Sequence, residues 1–190
     1  MPRLVALVGA VTPPGRLNAA MQTAVDAAAA RPGVAATLLS LADHRLGFAD
    51  GRPLESLTDD APRLVRALAE ADAVLLATPV YRGTFTGALK NLLDLTPVEA
   101  LRGKPVGLVA MGASTHHYLG VDWHLRAVLA WFGALTAPTS VYLESAHFKE
   151  GKLADAGATA ALDALVTTVL ALAAQPRDRL GPPPLAAGRG

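Results

Sequence analysis

The chain has no cysteine. That excludes disulfides, thiolate zinc sites, cysteine-ligated iron–sulfur clusters and a cysteine nucleophile. Charge is scarce and balanced: Lys and Arg number 17, Asp and Glu 16, for a formal charge of +1 over 190 residues. Such a chain carries no dominant basic face for duplex nucleic acid. Charged residues are only 17% and aromatic residues 5%, against 52% hydrophobic, so the chain forms a core and is no disordered polyelectrolyte. No uninterrupted apolar run reaches the roughly 18 residues of a membrane helix. The apolar stretch from Leu4 to Val11 is about eight residues long and has no A-x-A site close behind it. It reads as a buried first strand and not as a leader. These absences predict a cytoplasmic protein with neither nucleic acid nor membrane as partner.

Alanine makes up about a fifth of the chain, so small side chains and helix formers dominate the core. Two kinds of segment alternate. Leu4–Val8, Val34–Leu39, Ala73–Thr78, Pro105–Met111 and Ala137–Leu143 are nearly continuous apolar runs, the pattern of strands buried on both faces. Between them lie helical stripes: Leu17 to Arg31 with Met21 and Val25, then Leu64, Val65 and Leu68, then Leu89, Leu92 and Leu93. Val121, Leu125, Val128, Leu129 and Phe132 form the clearest stripe, and Leu162, Leu165, Val166 and Val169 form another. Strand–helix alternation predicts an α/β fold with right-handed crossovers. Five strands fit a flavodoxin-like doubly wound three-layer sandwich, its five-stranded parallel sheet in the order 2-1-3-4-5. His44 to Asp60 reads as a loop, with His44 and His147 isolated and exposed. Residues 1–175 read as one domain. Residues 176–190, rich in Pro, Gly and Arg without apolar periodicity, read as a disordered tail.

In that fold a ligand sits beyond the carboxyl ends of the strands where their order reverses, between the first and third. The loops after Val8, Thr78 and Met111 are therefore the candidates. The first runs from Gly9 to Asn18 and ends at a helix N-terminus, whose free amides and positive dipole end suit an anion. Thr12 and Asn18 add side-chain donors and Arg16 a charge. It is neither a G-x-G-x-x-G turn nor a P-loop. In the second, Pro79 ends the strand, Tyr81 and Arg82 project past the sheet edge, and Thr84 or Thr86 caps the next helix. The third, Gly112-Ala113-Ser114-Thr115-His116-His117-Tyr118, has small residues that let a flat ring approach. Adjacent histidines on a loop with no carboxylate at ligand spacing make a poor metal site, and none is predicted.

Together these loops resemble the NADPH-dependent FMN reductase family, most of all the branch that supplies reduced flavin to two-component monooxygenases. The stretch Thr78-Pro-Val-Tyr-Arg-Gly-Thr-Phe-Thr-Gly-Ala-Leu-Lys-Asn-Leu-Leu-Asp94 is similar to that family's T-P-V-Y-(K/R)-x-x-(Y/F)-(S/T)-G-x-L-K-x-L-L-D. Gly112 to Arg126 resembles its G-G-(S/T)-x-x-H-x-L-x-V-D motif. The likeness spans about Leu4 to Leu172.

The resemblance implies FMN at the switch point and NAD(P)H as reductant, with hydride passing directly from nicotinamide C4 to flavin N5. No catalytic side chain is then required. It places the phosphate on Thr12, Gly15, Arg16, Leu17 and Asn18. The ring would lie along Pro79, Val80, Tyr81, Arg82, Gly83 and Thr84, and along Gly112, Ala113 and Ser114. The first loop departs from the family's Gly-Ser-Pro-Ser-x-x-Ser pattern and lacks two or three of its hydroxyls, which predicts loosely held flavin. Three other activities share these features: tight-FMN reduction of quinones or azo compounds, flavodoxin-type electron carriage, and a non-catalytic protein with a degenerate flavin site. Trp123 and Trp131 fall off the main stripe of their helix. Exposed aromatics mark interfaces, and the family resemblance also implies a homodimer or homotetramer.

Overall fold

A computed structural model describes residues 1–175; the predicted tail lies outside the described residues. The elements run β1 (Arg3–Val8), α1 (Arg16–Ala29), β2 (Ala35–Ser40), α2 (Ala61–Glu70), β3 (Ala73–Pro79), α3 (Gly87–Leu95) and β4 (Pro105–Gly112). They continue with α4 (Gly120–Trp131), β5 (Leu135–Thr136), β6 (Val141–Glu144), β7 (Phe148–Lys149), β8 (Lys152–Leu153) and α5 (Ala156–Ala173). The main sheet is parallel, in the order β2-β1-β3-β4-β5, with β6 also pairing β4. This is the predicted flavodoxin-like order.

Alternate residues of each central strand enter opposite cores, which explains their continuous apolar runs. Leu4, Ala6 and Val8 pack with Leu75 and Ala77 under α1 and α5. Val5 and Leu7 pack with Val74 and Leu76 under α2, α3 and α4. The first face is built close. A Cβ on Gly107 would stand 2.7 Å from Leu75 Cδ2 and 3.0 Å from Leu165 Cγ, so α5 rests almost on the backbone of β4. The Arg31 guanidinium ties α1 to α5 by bonding Asp163 Oδ1 at 2.7 Å and Thr167 Oγ1 at 2.8 Å.

Several details differ from the sequence reading. The expected strand 137–143 is reduced to β6, which pairs the end of β4, and a two-residue β5 just before that range pairs its start. Pro138 lacks the N–H a ladder needs, and the carbonyls of Ala137 and Pro138 are taken by Arg126. The expected loop 44–60 holds a 3-10 turn at Leu54–Ser56, and another, at Leu41–Asp43, precedes it. His44 and His147 are half-buried rather than exposed, bonded at Nδ1 to the Ser40 carbonyl and the Glu144 amide respectively. β7 and β8 form an antiparallel hairpin that the sequence reading missed; Glu150 and Gly151 both have positive φ at its turn. Finally, α5 is by length and composition apolar enough to cross a membrane, with 18 residues at mean hydropathy 1.7. In the fold it is a core helix, with Leu162, Leu165, Val166 and Val169 buried against the sheet.

Candidate functional site

The loops after β1, β3 and β4 meet at the switch point, and they differ in how they are built. The β3–α3 loop is tied at every step. Val80 N–H donates to the Met111 carbonyl at 2.8 Å, which joins the loop to the end of β4. Tyr81 and Thr84 exchange N–H···O bonds of 2.9 and 3.2 Å around Arg82 (φ 53°) and Gly83 (φ 77°). Two positive φ values define a type I′ hairpin turn. Thr86 is the cap of α3, accepting from Leu89 N–H at 3.1 Å. Its hydroxyl also donates to the Gly9 carbonyl, and its own N–H donates to Thr78 Oγ1 at 3.1 Å. A Cβ on Gly9 would stand 2.7 Å from Leu89 Cβ, so the β1–α1 turn lies directly on α3.

The third loop is held from a distance in sequence. Tyr142, on β6, donates its hydroxyl to the Ser114 carbonyl at 2.6 Å and meets Tyr118 edge-on with ring centres 5.8 Å apart. Its phenol crosses the backbone at Gly112, where any Cβ would overlap the hydroxyl. Burial, assisted by the negative charge of Glu144, raises the Tyr142 pKa and keeps the hydroxyl a donor. At the other end of this loop, a Cβ on Gly120 would overlap the Gly83 carbonyl, so the first residue of α4 touches the hairpin tip. Behind it, Arg126 grips Asp122 at 2.8 and 3.0 Å and the Ala137 carbonyl at 2.8 Å. Burial pushes the Asp122 carboxyl up, but bonds from Arg126 and Ser140 and the Arg126 charge outweigh it, and the net shift is downward.

The first loop is bare by contrast. Val11 to Arg16 are all exposed. α1 begins at Gly15 with no side-chain cap and no acid in its first turn. The amides of Arg16, Leu17 and Asn18 are thus the uncapped donors of a 14-residue helix, whose first residue, Arg16, is exposed. An anion is what this end accepts, so these residues fit a phosphate.

Each sequence-predicted site residue falls on one of these loops. Thr12, Gly15, Arg16 and Asn18 lie on the bare one, where Leu17 turns its side chain into the core and offers only its N–H. Pro79, Val80, Tyr81, Arg82, Gly83 and Thr84 lie on the tied one. Val80, Tyr81 and Thr84 have already spent their amides, and Tyr81 and Arg82 stand exposed. Gly112, Ala113 and Ser114 lie on the third, with Ser114 Oγ 3.2 Å from His116 Nδ1. Sequence reasoning missed Tyr142, whose only signal was an aromatic in the last strand.

An open parallel sheet with a bare helix N-terminus and two ordered loops at its switch point defines a mononucleotide-binding flavodoxin-like protein. The chain belongs to the NADPH-dependent FMN reductase family, whose sequence profile matches residues 2–148. It is 40% identical over 129 residues to an NAD(P)H-dependent FAD/FMN reductase of Geobacillus thermodenitrificans, covering 68% of this chain and 70% of that one. It is 29% identical over 170 residues to the NADH-dependent FMN reductase SfnF of Pseudomonas putida, covering 89% and 91%. Among solved structures, an NADH:FMN oxidoreductase (EMOB) in its apo form superposes with TM-score 0.75 at 25% identity over 94% of each chain.

Proposed function

We propose that this chain is an NAD(P)H:FMN oxidoreductase that hands reduced FMN to a flavin-dependent monooxygenase. The observation that carries the reading is the uncapped, acid-free start of α1 with Arg16, set beside two loops held in place by hydrogen bonds. FMN, when bound, would supply the redox chemistry as the acceptor of hydride from NAD(P)H. The protein's part is to bind and orient. Arg16 and the first-turn amides hold the phosphate, with Thr12 and Asn18 adding donors. The Pro79–Thr84 hairpin and the Gly112–Ser114 turn set the plane of the ring. The exposed Arg82, at the hairpin tip, faces charge that gathers on the reduced ring or on the dinucleotide phosphates. No side chain needs to carry a proton in the hydride step.

The bare first loop favours flavin that diffuses in and out over a tightly bound group that reduces quinones or azo compounds. Titration of the flavin-free chain with FMN, followed by NADPH oxidation with and without added FMN, tests this. Turnover that depends on free FMN supports it. Retention of FMN through dilution, with electrons passed to a quinone, overturns it in favour of the tight-binding reading.

The reading extends to assembly and place. Trp123 is 73% and Trp131 65% exposed on α4. Water-facing tryptophans on one helix suit a homodimer or homotetramer contact, which sedimentation checks. The cytoplasm supplies both NAD(P)H and a soluble acceptor. Residues 1–175 carry the activity, so truncation after Gln175 leaves turnover unchanged.

A further inference from the structure

We propose that the pocket between the β1–α1 loop and the segment after β2 receives the adenosine end of the dinucleotide, with Arg45 reading a 2′-phosphate. This rests on the reductase reading above and adds to it a site and a preference for NADPH over NADH. The pocket has a volume of about 550 Å³, within the range of small-molecule sites. Its walls are apolar: Val11, Leu41, Leu46, Phe48 and the first turn of α3. Among the described residues that line it, His44 and Arg45 are the titratable ones, and no carboxylate lines it.

The rim is fixed in place although it is exposed. Asn91 on α3 donates Nδ2–H to the Gly47 carbonyl at 2.8 Å and accepts from Ala49 N–H at 2.9 Å. Asp59 accepts from Gly47 N–H at 2.6 Å, and Asp60 accepts from Arg45 N–H at 2.8 Å. Phe48 therefore stands between two clasped residues while 87% of it meets water. An aromatic held out in solvent by its neighbours' backbone bonds is a stacking platform for a flat ring. The Arg45 guanidinium has no hydrogen bond or ion pair among the described residues. An unengaged guanidinium and an exposed aromatic lining one pocket suit a ring that carries a phosphate. His44 Nδ1–H donates to the Ser40 carbonyl at 2.7 Å, so Nε2 is the ring nitrogen left to a ligand. Val11 lines this pocket and belongs to the same β1–α1 loop that carries the phosphate candidates, and that loop lies on α3, whose first turn also lines the pocket. A dinucleotide can thus engage both without crossing the protein.

The test titrates the full chain, without flavin, with adenosine 2′,5′-bisphosphate and with adenosine 5′-phosphate by calorimetry and by NMR. The bisphosphate should bind about tenfold tighter, with shifts at Leu46, Phe48 and Ala49. Arg45→Ala should erase that difference. In kinetics, Arg45→Ala should raise KM for NADPH about tenfold and KM for NADH less than twofold, and Phe48→Ala should raise both. Equal binding of the two nucleotides, shifts elsewhere, or an unchanged NADPH-to-NADH ratio in Arg45→Ala would overturn the proposal. If neither nucleotide binds and sedimentation of Phe48→Asp shows a broken oligomer, the pocket is a subunit contact instead. FMN reduction that persists without bisphosphate binding defeats the site and spares the reductase reading; bisphosphate binding without FMN reduction does the reverse.

Discussion

Two loops at the same edge of the same sheet are built in opposite ways. The β3–α3 loop spends its donors on the protein: Thr86 bonds Gly9, Val80 bonds Met111, and Tyr81 closes on Thr84. The β1–α1 loop spends almost none, and α1 starts without a cap. A buried helix start left so would be costly, because unpaired amides inside a protein lose about 1–3 kcal/mol each. Here the loop is exposed, so water satisfies its donors and an anion can displace it. On the function proposed above, rigidity belongs to the loop that would set the ring plane, and unspent donors to the loop that would hold the phosphate.

The comparison breaks most visibly at Thr86. Thr86→Val keeps the shape but strands the Gly9 carbonyl and the Leu89 amide in a site only 4% exposed. The expected loss is about 3 kcal/mol, from two unsatisfied groups at 1–3 kcal/mol each. Denaturant unfolding reads it. Flavin affinity should fall with it, since the hydroxyl joins the two loops. A stability within about 0.5 kcal/mol of wild type would show that the loops are not coupled through this residue.

The opposite outcome is expected at Arg16. This exposed residue has no structural partner among the described residues, so Arg16→Ala should leave unfolding unchanged. It should weaken FMN by about 1.5–3 kcal/mol, roughly ten- to a hundredfold, through one lost charge-assisted contact. Riboflavin, which lacks the phosphate, should bind both forms alike. Equal losses for both flavins would remove Arg16 from a phosphate site.

Much of this contrast was legible in the sequence. The strands of the sheet centre showed because both their faces are buried, and the Thr78–Asp94 stretch marked the tied loop. The Pro and Gly residues of the first loop marked the bare one. Long-range bonds were not legible. Tyr142 reaches Ser114 across 28 residues and Asn91 reaches Ala49 across 42, and no local spacing signals either. The fifth strand was misread because apolar content outweighed Pro138, which has no N–H for a ladder and stands in the break between β5 and β6. Arg82 and Glu150 also hid turns, because a non-glycine residue with positive φ is uncommon.

Tyr142 sharpens the comparison at the third loop, which is ordered from outside. Tyr142→Phe keeps the ring against Gly112 and Tyr118 and removes only the bond to the Ser114 carbonyl. About 1 kcal/mol is expected, read as a roughly fivefold weaker FMN affinity with little change in melting temperature. A melting loss without an affinity change would make the contact structural only.

The smallest effect is expected behind that loop, at Asp122, and it depends on pH. The Arg126 and Ser140 bonds lower the folded-state pKa of Asp122 below its unfolded value. A depressed carboxyl contributes stability that is complete above the unfolded pKa and is lost as pH falls through the folded one. The pair is an i,i+4 contact on α4 with side chains 15% and 29% exposed, so its worth is at most about 1 kcal/mol. Asp122→Asn should therefore cost that much near neutrality and nothing at the acid end, where wild type has already lost the charge. The difference between the two unfolding curves should close between weakly and strongly acidic pH. Arg126 would still hold the Ala137 carbonyl in the variant, so β5 and β6 should keep their places beside β4. A gap that stays constant with pH would mean that Asp122 acts through packing. A gap that widens as pH falls would contradict the downward shift itself.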